Sequence, residues 1–189
     1  GNGCYHVFID VGSNRGVHGR FLYEPETYNQ SRFSRKFTEV YGDNRTLQNM
    51  CVFAFEPNPM HTKPQSDTVA AYSRMGWRYQ YMPYGVSDSD GHLTFYCNYD
   101  VVWGSLAEEW GFSTTLHGAA VQDQEVLVNI IDLSKWLDEH ILKRDIPEKN
   151  DFNVGPPLIV MKMDIEGSKY AVLEHMIDTG TAYRVNYIF

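Results

Sequence analysis

Residues 6–16 read HVFIDVGSNRG, an apolar run that breaks off into a Gly/Ser/Asn turn. Val7, Phe8, Ile9 and Val11 predict a short buried strand, and Gly12, Ser13, Asn14 and Gly16 follow with no room for another strand residue. In an open α/β sheet the carboxyl end of a buried strand is where ligands bind, because backbone N–H groups converge there and a helix usually starts next. Glycine lets the backbone approach a ligand without a Cβ in the way. The spacing from Asp10 through Gly12 to Gly16 is D-x-G-x-x-x-G, not the G-x-G-x-x-G of a pyrophosphate-binding turn. The expected ligand therefore moves from a dinucleotide toward a nucleoside without phosphates, with the Asp10 carboxylate offered to a cationic or hydroxyl-bearing part. Taken alone, the same pattern also fits an ordinary tight turn between strand and helix.

The second apolar run, Cys51 to Phe55, ends in Glu56-Pro57-Asn58-Pro59. Such near-continuous apolar strands belong to buried parallel sheets. An acidic tip on strand two can accept both hydroxyls of a ribose, since one carboxylate takes two hydrogen bonds side by side. Its distance from the glycine turn, about 40 residues, exceeds the usual ~20, and the intervening Val17 to Met50 segment supplies the excess as interrupted helix. In that segment Phe33, Phe37, Val40 and Tyr41 share one face.

Further along, Asp67 to Met75 predicts a helix and Trp77 to Val86 a third strand, whose end at Val86, Ser87 and Asp88 is the place for an adenine ring. Asp90-Gly91 predicts a hairpin turn into His92 to Asn98. Tyr99 to Gln124 carries Trp103, Trp110 and Phe112 among glycines, which fits a lid or substrate-facing loop and equally an aromatic satellite core. Glu125 to Ile131 predicts a strand pairing with the hairpin, and Asp132 caps a helix bearing Leu133, Trp136, Leu137 and Ile141 on one face. Lys143 to Gly155 is a charged loop. The run from Leu158 is a buried strand that presents Asp164 and Glu166 at its tip, followed by a helix from Ser168 with Tyr170, Leu173 and Ile177 on one face, and a fifth strand in Tyr183 to Phe189.

At 189 residues the chain fits one domain. It starts and stops close to core strands, so it reads as a fragment lacking its last strands. With 16 Lys and Arg against 24 Asp and Glu, the net charge of −8 argues against nucleic acid as a partner. The basic cluster of Arg32, Arg35 and Lys36 reads as a solvated helix face. No run reaches the ~18 apolar residues of a membrane span, and no signal peptide is visible. Cys4, Cys51 and Cys97 are too few and scattered for a disulfide framework or zinc site and read as free thiols. Asn29-Gln30-Ser31 and Asn44-Arg45-Thr46 are sequons that matter only in a secreted protein. Cytoplasm and secretory lumen both stay open, as does the oligomeric state.

Strands alternating with helices, each ending in a glycine or acidic tip, predict a doubly wound, mainly parallel α/β sheet with an inserted β-hairpin. With Asp10-Val11-Gly12-Ser13-Asn14-Arg15-Gly16, then Glu56-Pro57, then Lys162-Met163-Asp164-Ile165-Glu166-Gly167 in that order, the chain resembles the FkbM-type family of S-adenosylmethionine-dependent methyltransferases over nearly its whole length. The three together are far more specific than any one. Arg15 departs from the small or apolar residue common at its position. The resemblance implies a Rossmann-like fold and O-methylation of a sugar or natural product. It implies that Asp10, Gly12 and Gly16 hold the methionine part of S-adenosyl-L-methionine, with Ser13 and Asn14 in the same turn. Glu56, beside Pro57, would hold the ribose, and Val86 to Asp88 the adenine.

Methyl transfer from a sulfonium asks the protein to align the acceptor and remove its proton. Asp164 is the first candidate for that side, followed by Glu166 and His18. Asp164 and Glu166 could alternatively hold Mg2+, and Glu166 also fits a helix N-terminal acid. Competing classes are an NAD-dependent oxidoreductase, disfavoured by the missing third glycine, and a non-catalytic nucleoside-cofactor-binding protein. The acceptor is a small molecule or glycan: a sugar, a lipid headgroup or a small phenol. Asp10, Glu56, Asp88 and Asp164 should ring one crevice.

Overall fold

The computed structural model describes residues 1–42, 47–97, 114–115, 124–148, 155–165 and 168–189. Most of the aromatic loop expected over Tyr99 to Gln124 lies outside the described residues, as does the Asn44 sequon. Five strands form a parallel sheet: β1 (His6–Val11), β2 (Met50–Phe55), β3 (Arg78–Met82), β8 (Ile159–Met163) and β9 (Tyr187–Ile188), in spatial order β3-β2-β1-β8-β9. The order reverses between β1 and β8, which makes their carboxyl ends the switch point. All residues of β1, β2 and β8 are buried, as the apolar runs require.

Period-two alternation divides the core into two layers. Val7, Ile9, Val11, Phe53, Phe55, Met161 and Met163 face Leu133, Trp136, Leu137, Val172 and Met176. Phe8, Val52, Ala54 and Val160 face Leu22, Tyr23, Phe37, Tyr41, Tyr72 and Tyr79. The first layer is covered by α4 (Leu133–Leu137) with its following π turn and α5 (Lys169–Asp178); the second by α1 (Val17–Tyr23), α2 (Arg32–Tyr41) and α3 (Thr62–Arg74). This is the doubly wound, Rossmann-like architecture that the pattern predicts. Among the described residues no helix is long and apolar enough to cross a membrane.

Four local expectations change. The strand predicted over Trp77 to Val86 is two: β3 stops at Met82, and β4 (Gly85–Ser87) joins a second sheet of order β4-β7-β5-β6. Pro83 is the cause, because it has no N–H for the ladder and suits the centre of the γ-turn closed by the Tyr84 N–H on the Met82 carbonyl at 2.8 Å. Second, Asp90-Gly91 does not close a hairpin between adjacent strands. β7 (Gln124–Asp132) lies between β4 and β5 (Gly91–Cys97), parallel to the former and antiparallel to the latter, while β6 (Thr114–Thr115) pairs with the far edge of β5. The Asp90 carboxylate accepts the Asp132 N–H at 3.0 Å and the Lys135 ammonium at 2.6 Å, fastening that turn to the start of α4.

Third, α5 buries Val172 and Met176, leaving Tyr170 and Ile177 exposed; of the predicted face only Leu173 packs on the core. Fourth, Cys4 and Cys51 are not free thiols but a disulfide, with Cα atoms 5.6 Å apart. Parallel pairing of β1 with β2 sets Cys51 opposite Val7, close to Cys4, although 47 residues separate the cysteines in sequence.

Candidate active site

β1 runs between β2 and β8 with Val11 opposite both Phe55 and Met163. Gly12, Glu56 and Asp164 therefore leave the sheet side by side. They border a cleft of about 460 Å³ lined also by Ser13, Asn14, Val17, His18, Phe21, Phe33, Pro57, Tyr84, Val86, Phe95 and Lys162. That volume lies within the ~300–1,000 Å³ usual for small-molecule sites.

Its floor is the glycine turn. Gly12 has φ 78°, and a Cβ there would sit 2.1 Å from the Asp164 carbonyl oxygen, so no side chain fits. The N–H groups of Gly12 and Ser13 both go to the Phe55 carbonyl, at 3.0 and 2.9 Å, and that of Gly16 to the Ser13 carbonyl at 2.8 Å. Asn14 donates its N–H to Glu56 Oε2 at 2.9 Å. These donors are spent inside the protein. From one side Lys162 Nζ donates to the Gly12 carbonyl at 2.7 Å. From the other, Gln65 Nε2 donates to Ser13 Oγ (2.9 Å) and the Asn14 carbonyl (2.8 Å), while Gln65 Oε1 accepts from the Tyr79 hydroxyl (2.7 Å).

Glu56 is 6% exposed. Besides Asn14, it accepts the Asn58 N–H on Oε1 at 2.9 Å. Burial raises its pKa above the ordinary value; the two backbone N–H groups and nearby Lys162 pull the other way. Each carboxylate oxygen can accept more than one hydrogen bond, so a diol in the cleft still finds acceptors there. Tyr84, Val86 and Phe95 continue this end as apolar wall.

The opposite end begins at α1. His18 packs edge-on against Phe33, ring centres 4.4 Å apart, and against Phe21 at 5.8 Å. Its Nδ1 lies 3.7 Å from Asp10 Oδ2. Asp10 sits opposite Lys162 in the β1–β8 register, on the sheet face that α1 covers, which is why a helix residue and two strand residues meet. Lys162 Nζ is 3.4 Å from Asp10 Oδ1 and 3.6 Å from Asp164 Oδ2, so one ammonium faces two carboxylates. Among the described residues neither Asp10 oxygen nor His18 Nδ1 has a hydrogen bond, although Asp10 is fully buried. Desolvation lowers the His18 pKa; Lys162 acts in the same direction, and Asp10 and Asp164 oppose it. The imidazole is therefore neutral at neutral pH.

Of the residues singled out from sequence, Gly12, Ser13, Asn14, Glu56, Pro57, Val86, His18 and Asp164 line one cleft. Gly16 instead faces Tyr79, whose hydroxyl would be 2.4 Å from a Cβ at that position. The ring of four carboxylates is not formed: Asp10 is sealed beneath the cleft against Lys162 and His18, and Asp88 is an exposed residue of the β4–β5 turn, accepting from the hydroxyls of Ser87 and Ser89. Ser87 is likewise off the lining. Glu166 lies outside the described residues. Among those described, no group of three or more His, Cys, Asp or Glu residues gathers within reach of a metal ion. Sequence reasoning missed Gln65 and Tyr79, which carry no motif, and gave Lys162 no role although a lysine inside an apolar strand demands a buried partner.

A crystal structure of the methyltransferase FkbM from Methylobacillus flagellatus KT is similar at 13% identity with a TM-score of 0.46, over 97% of this chain and 32% of that one. No curated protein matches. The model of the methyltransferase FkbM domain matches residues 10–189, so the chain belongs to that family.

Proposed function

We propose that the chain transfers a methyl group from S-adenosyl-L-methionine to a hydroxyl on a sugar or another small molecule. The observation that carries this is the pairing, across one cleft, of a buried carboxylate held by two backbone N–H groups, Glu56, with a neutral imidazole, His18. When bound, the cofactor supplies an electrophilic methyl on a sulfonium. Glu56 accepts the ribose hydroxyls, Gly12 leaves room for the backbone to approach, and Tyr84, Val86 and Phe95 offer flat apolar contact to a purine. A dinucleotide fits less well, because the turn's N–H groups that would cradle a pyrophosphate are already paired.

On the acceptor side, Phe21 and Phe33 give an aromatic floor for a ring, and Asp164 can orient a second hydroxyl. His18 Nδ1, turned toward Asp10, keeps its proton there, which leaves Nε2 free to take the acceptor's proton. Asp10 then stabilises the imidazolium, and its 3.7 Å separation closes to a hydrogen bond as charge develops. Incubation with methyl-labelled cofactor and a panel of glycosides and phenols tests this. Transfer should need neutral His18, so kcat should rise with pH through a midpoint below ~6.5 and level off above it. His18→Gln should lower kcat about 10²–10⁴-fold with little change in S-adenosylhomocysteine affinity. Binding of S-adenosylhomocysteine without transfer to any acceptor would favour the non-catalytic alternative.

A further inference from the structure

The turn between α1 and α2 carries a sequon that the transferase reading leaves unused, and the disulfide gives it meaning. We propose that Asn29 is an N-glycosylation site and that this chain folds in the oxidising lumen of a secretory pathway. Asn29-Gln30-Ser31 alone says little, since such tripeptides arise by chance. Cys4 and Cys51 are an independent observation: disulfides persist in oxidising compartments and are rare where glutathione keeps thiols reduced. Both cysteines are under 5% exposed, so the bond belongs to the core between β1 and β2 rather than to a surface contact.

The local structure suits the modification. Asn29 and Gln30 are exposed, as are Glu26 and Thr27 before them, so a bulky polar group there displaces no core side chain. Tyr28, next to Asn29, packs inward on Phe21 and under Arg20. Ser31 is the N-cap of α2, its hydroxyl accepting the Phe33 N–H at 3.2 Å. The sequon hydroxyl keeps its own proton and a second lone pair while it caps α2.

The chemistry balances with donors of the same compartment. Asn29 Nδ2 bonds to the anomeric carbon of a glycan carried on a polyprenyl diphosphate, the carbon–oxygen bond to the diphosphate breaks, and the amide gives up one proton. Cys4 and Cys51 give two electrons and two protons to a disulfide-bearing oxidase, which becomes a dithiol.

Peptide mapping of the protein isolated from its own cells tests both parts. Amidase release of N-glycans in heavy-oxygen water should convert Asn29 to labelled aspartate, and Cys4 and Cys51 should resist alkylation until reduced. Recovery of unmodified Asn29, or alkylation of both cysteines without reduction, would overturn the proposal. In secreted expression, amidase should increase the gel mobility of wild type and of Ser31→Thr, which keeps sequon and cap. It should leave Asn29→Gln unshifted once the second sequon is removed by Asn44→Gln. A glycan confined to Asn44 would contradict the assignment of Asn29.

Discussion

The two ends of the cleft are built differently. At the Glu56 end every polar group named above is paired within the protein: both carboxylate oxygens, the turn's N–H groups, and the Ser13 and Asn14 acceptors held by Gln65, which Tyr79 fixes in turn. At the His18 end the Asp10 oxygens and His18 Nδ1 are buried without a hydrogen bond, and the walls are aromatic. The first end is pre-organised, so a ligand meets a finished surface at little reorganisation cost. In the second, Lys162 faces one Asp10 oxygen, and the other, 3.7 Å from His18 Nδ1, is left to answer charge that appears on the imidazole. On the proposed function, the first end would hold the methyl donor, and the second would answer the charge that forms as an acceptor hydroxyl loses its proton and attacks the methyl group.

Substitutions can break this contrast in order of size. Lys162→Met should cost the most stability, about 3–5 kcal/mol, because it leaves the Asp10 carboxylate buried without its cation; chemical denaturation measures it, and adding Asp10→Asn should recover part of the loss. Gly12→Ala follows, at about 2–4 kcal/mol, from a left-handed backbone and a Cβ driven against the Asp164 carbonyl, and it should abolish cofactor binding in a retained fold. Glu56→Ala should weaken S-adenosylhomocysteine about 100-fold, equivalent to ~2.7 kcal/mol, while His18→Gln leaves that affinity nearly unchanged.

Acidity separates the two ends as well. Binding at Glu56 needs the carboxylate; since burial raises its pKa, affinity should fall on acidification at a higher pH than an ordinary carboxylate would dictate. Titration of S-adenosylhomocysteine affinity against pH checks this, and Glu56→Gln should flatten the curve. Gln65→Leu is the smallest effect: it frees Ser13 and Asn14 of their outer support, and should raise the KM for cofactor about tenfold, ~1.4 kcal/mol, with kcat unchanged.

The finished end is legible in the sequence as contiguous stretches, whereas at the other end the residues Asp10, His18 and Asp164 are legible and their meeting is not. β1, β2 and β8 announce themselves as apolar runs, and Gly12, Glu56 and Asp164 stand at their tips, so contiguous residues carry the information. The unsatisfied end depends on register. Asp10 meets Lys162 only because strands some 150 residues apart align, and His18 meets Asp10 only because α1 folds back over that face. The Cys4–Cys51 bond was hidden for the same reason. Asp88 is off the cleft for a different reason: Pro83 ends β3 at Met82, and the short β4 that follows brings Val86 to the lining and carries Asp88 into an exposed turn. The α5 face was misjudged because three apolar residues at helical spacing stay exposed or half-buried while Val172 and Met176 fill the core.

Calorimetric titration with S-adenosylhomocysteine, side by side on wild type and Glu56→Ala with NAD as the control ligand, goes most directly to the question of what the cleft holds. Wild type should bind S-adenosylhomocysteine at micromolar concentration, the variant should bind it about 100-fold more weakly while staying folded, and NAD should give no heat. Equal affinity in both proteins, or a preference for NAD, would mean that Glu56 does not hold a ribose of this cofactor.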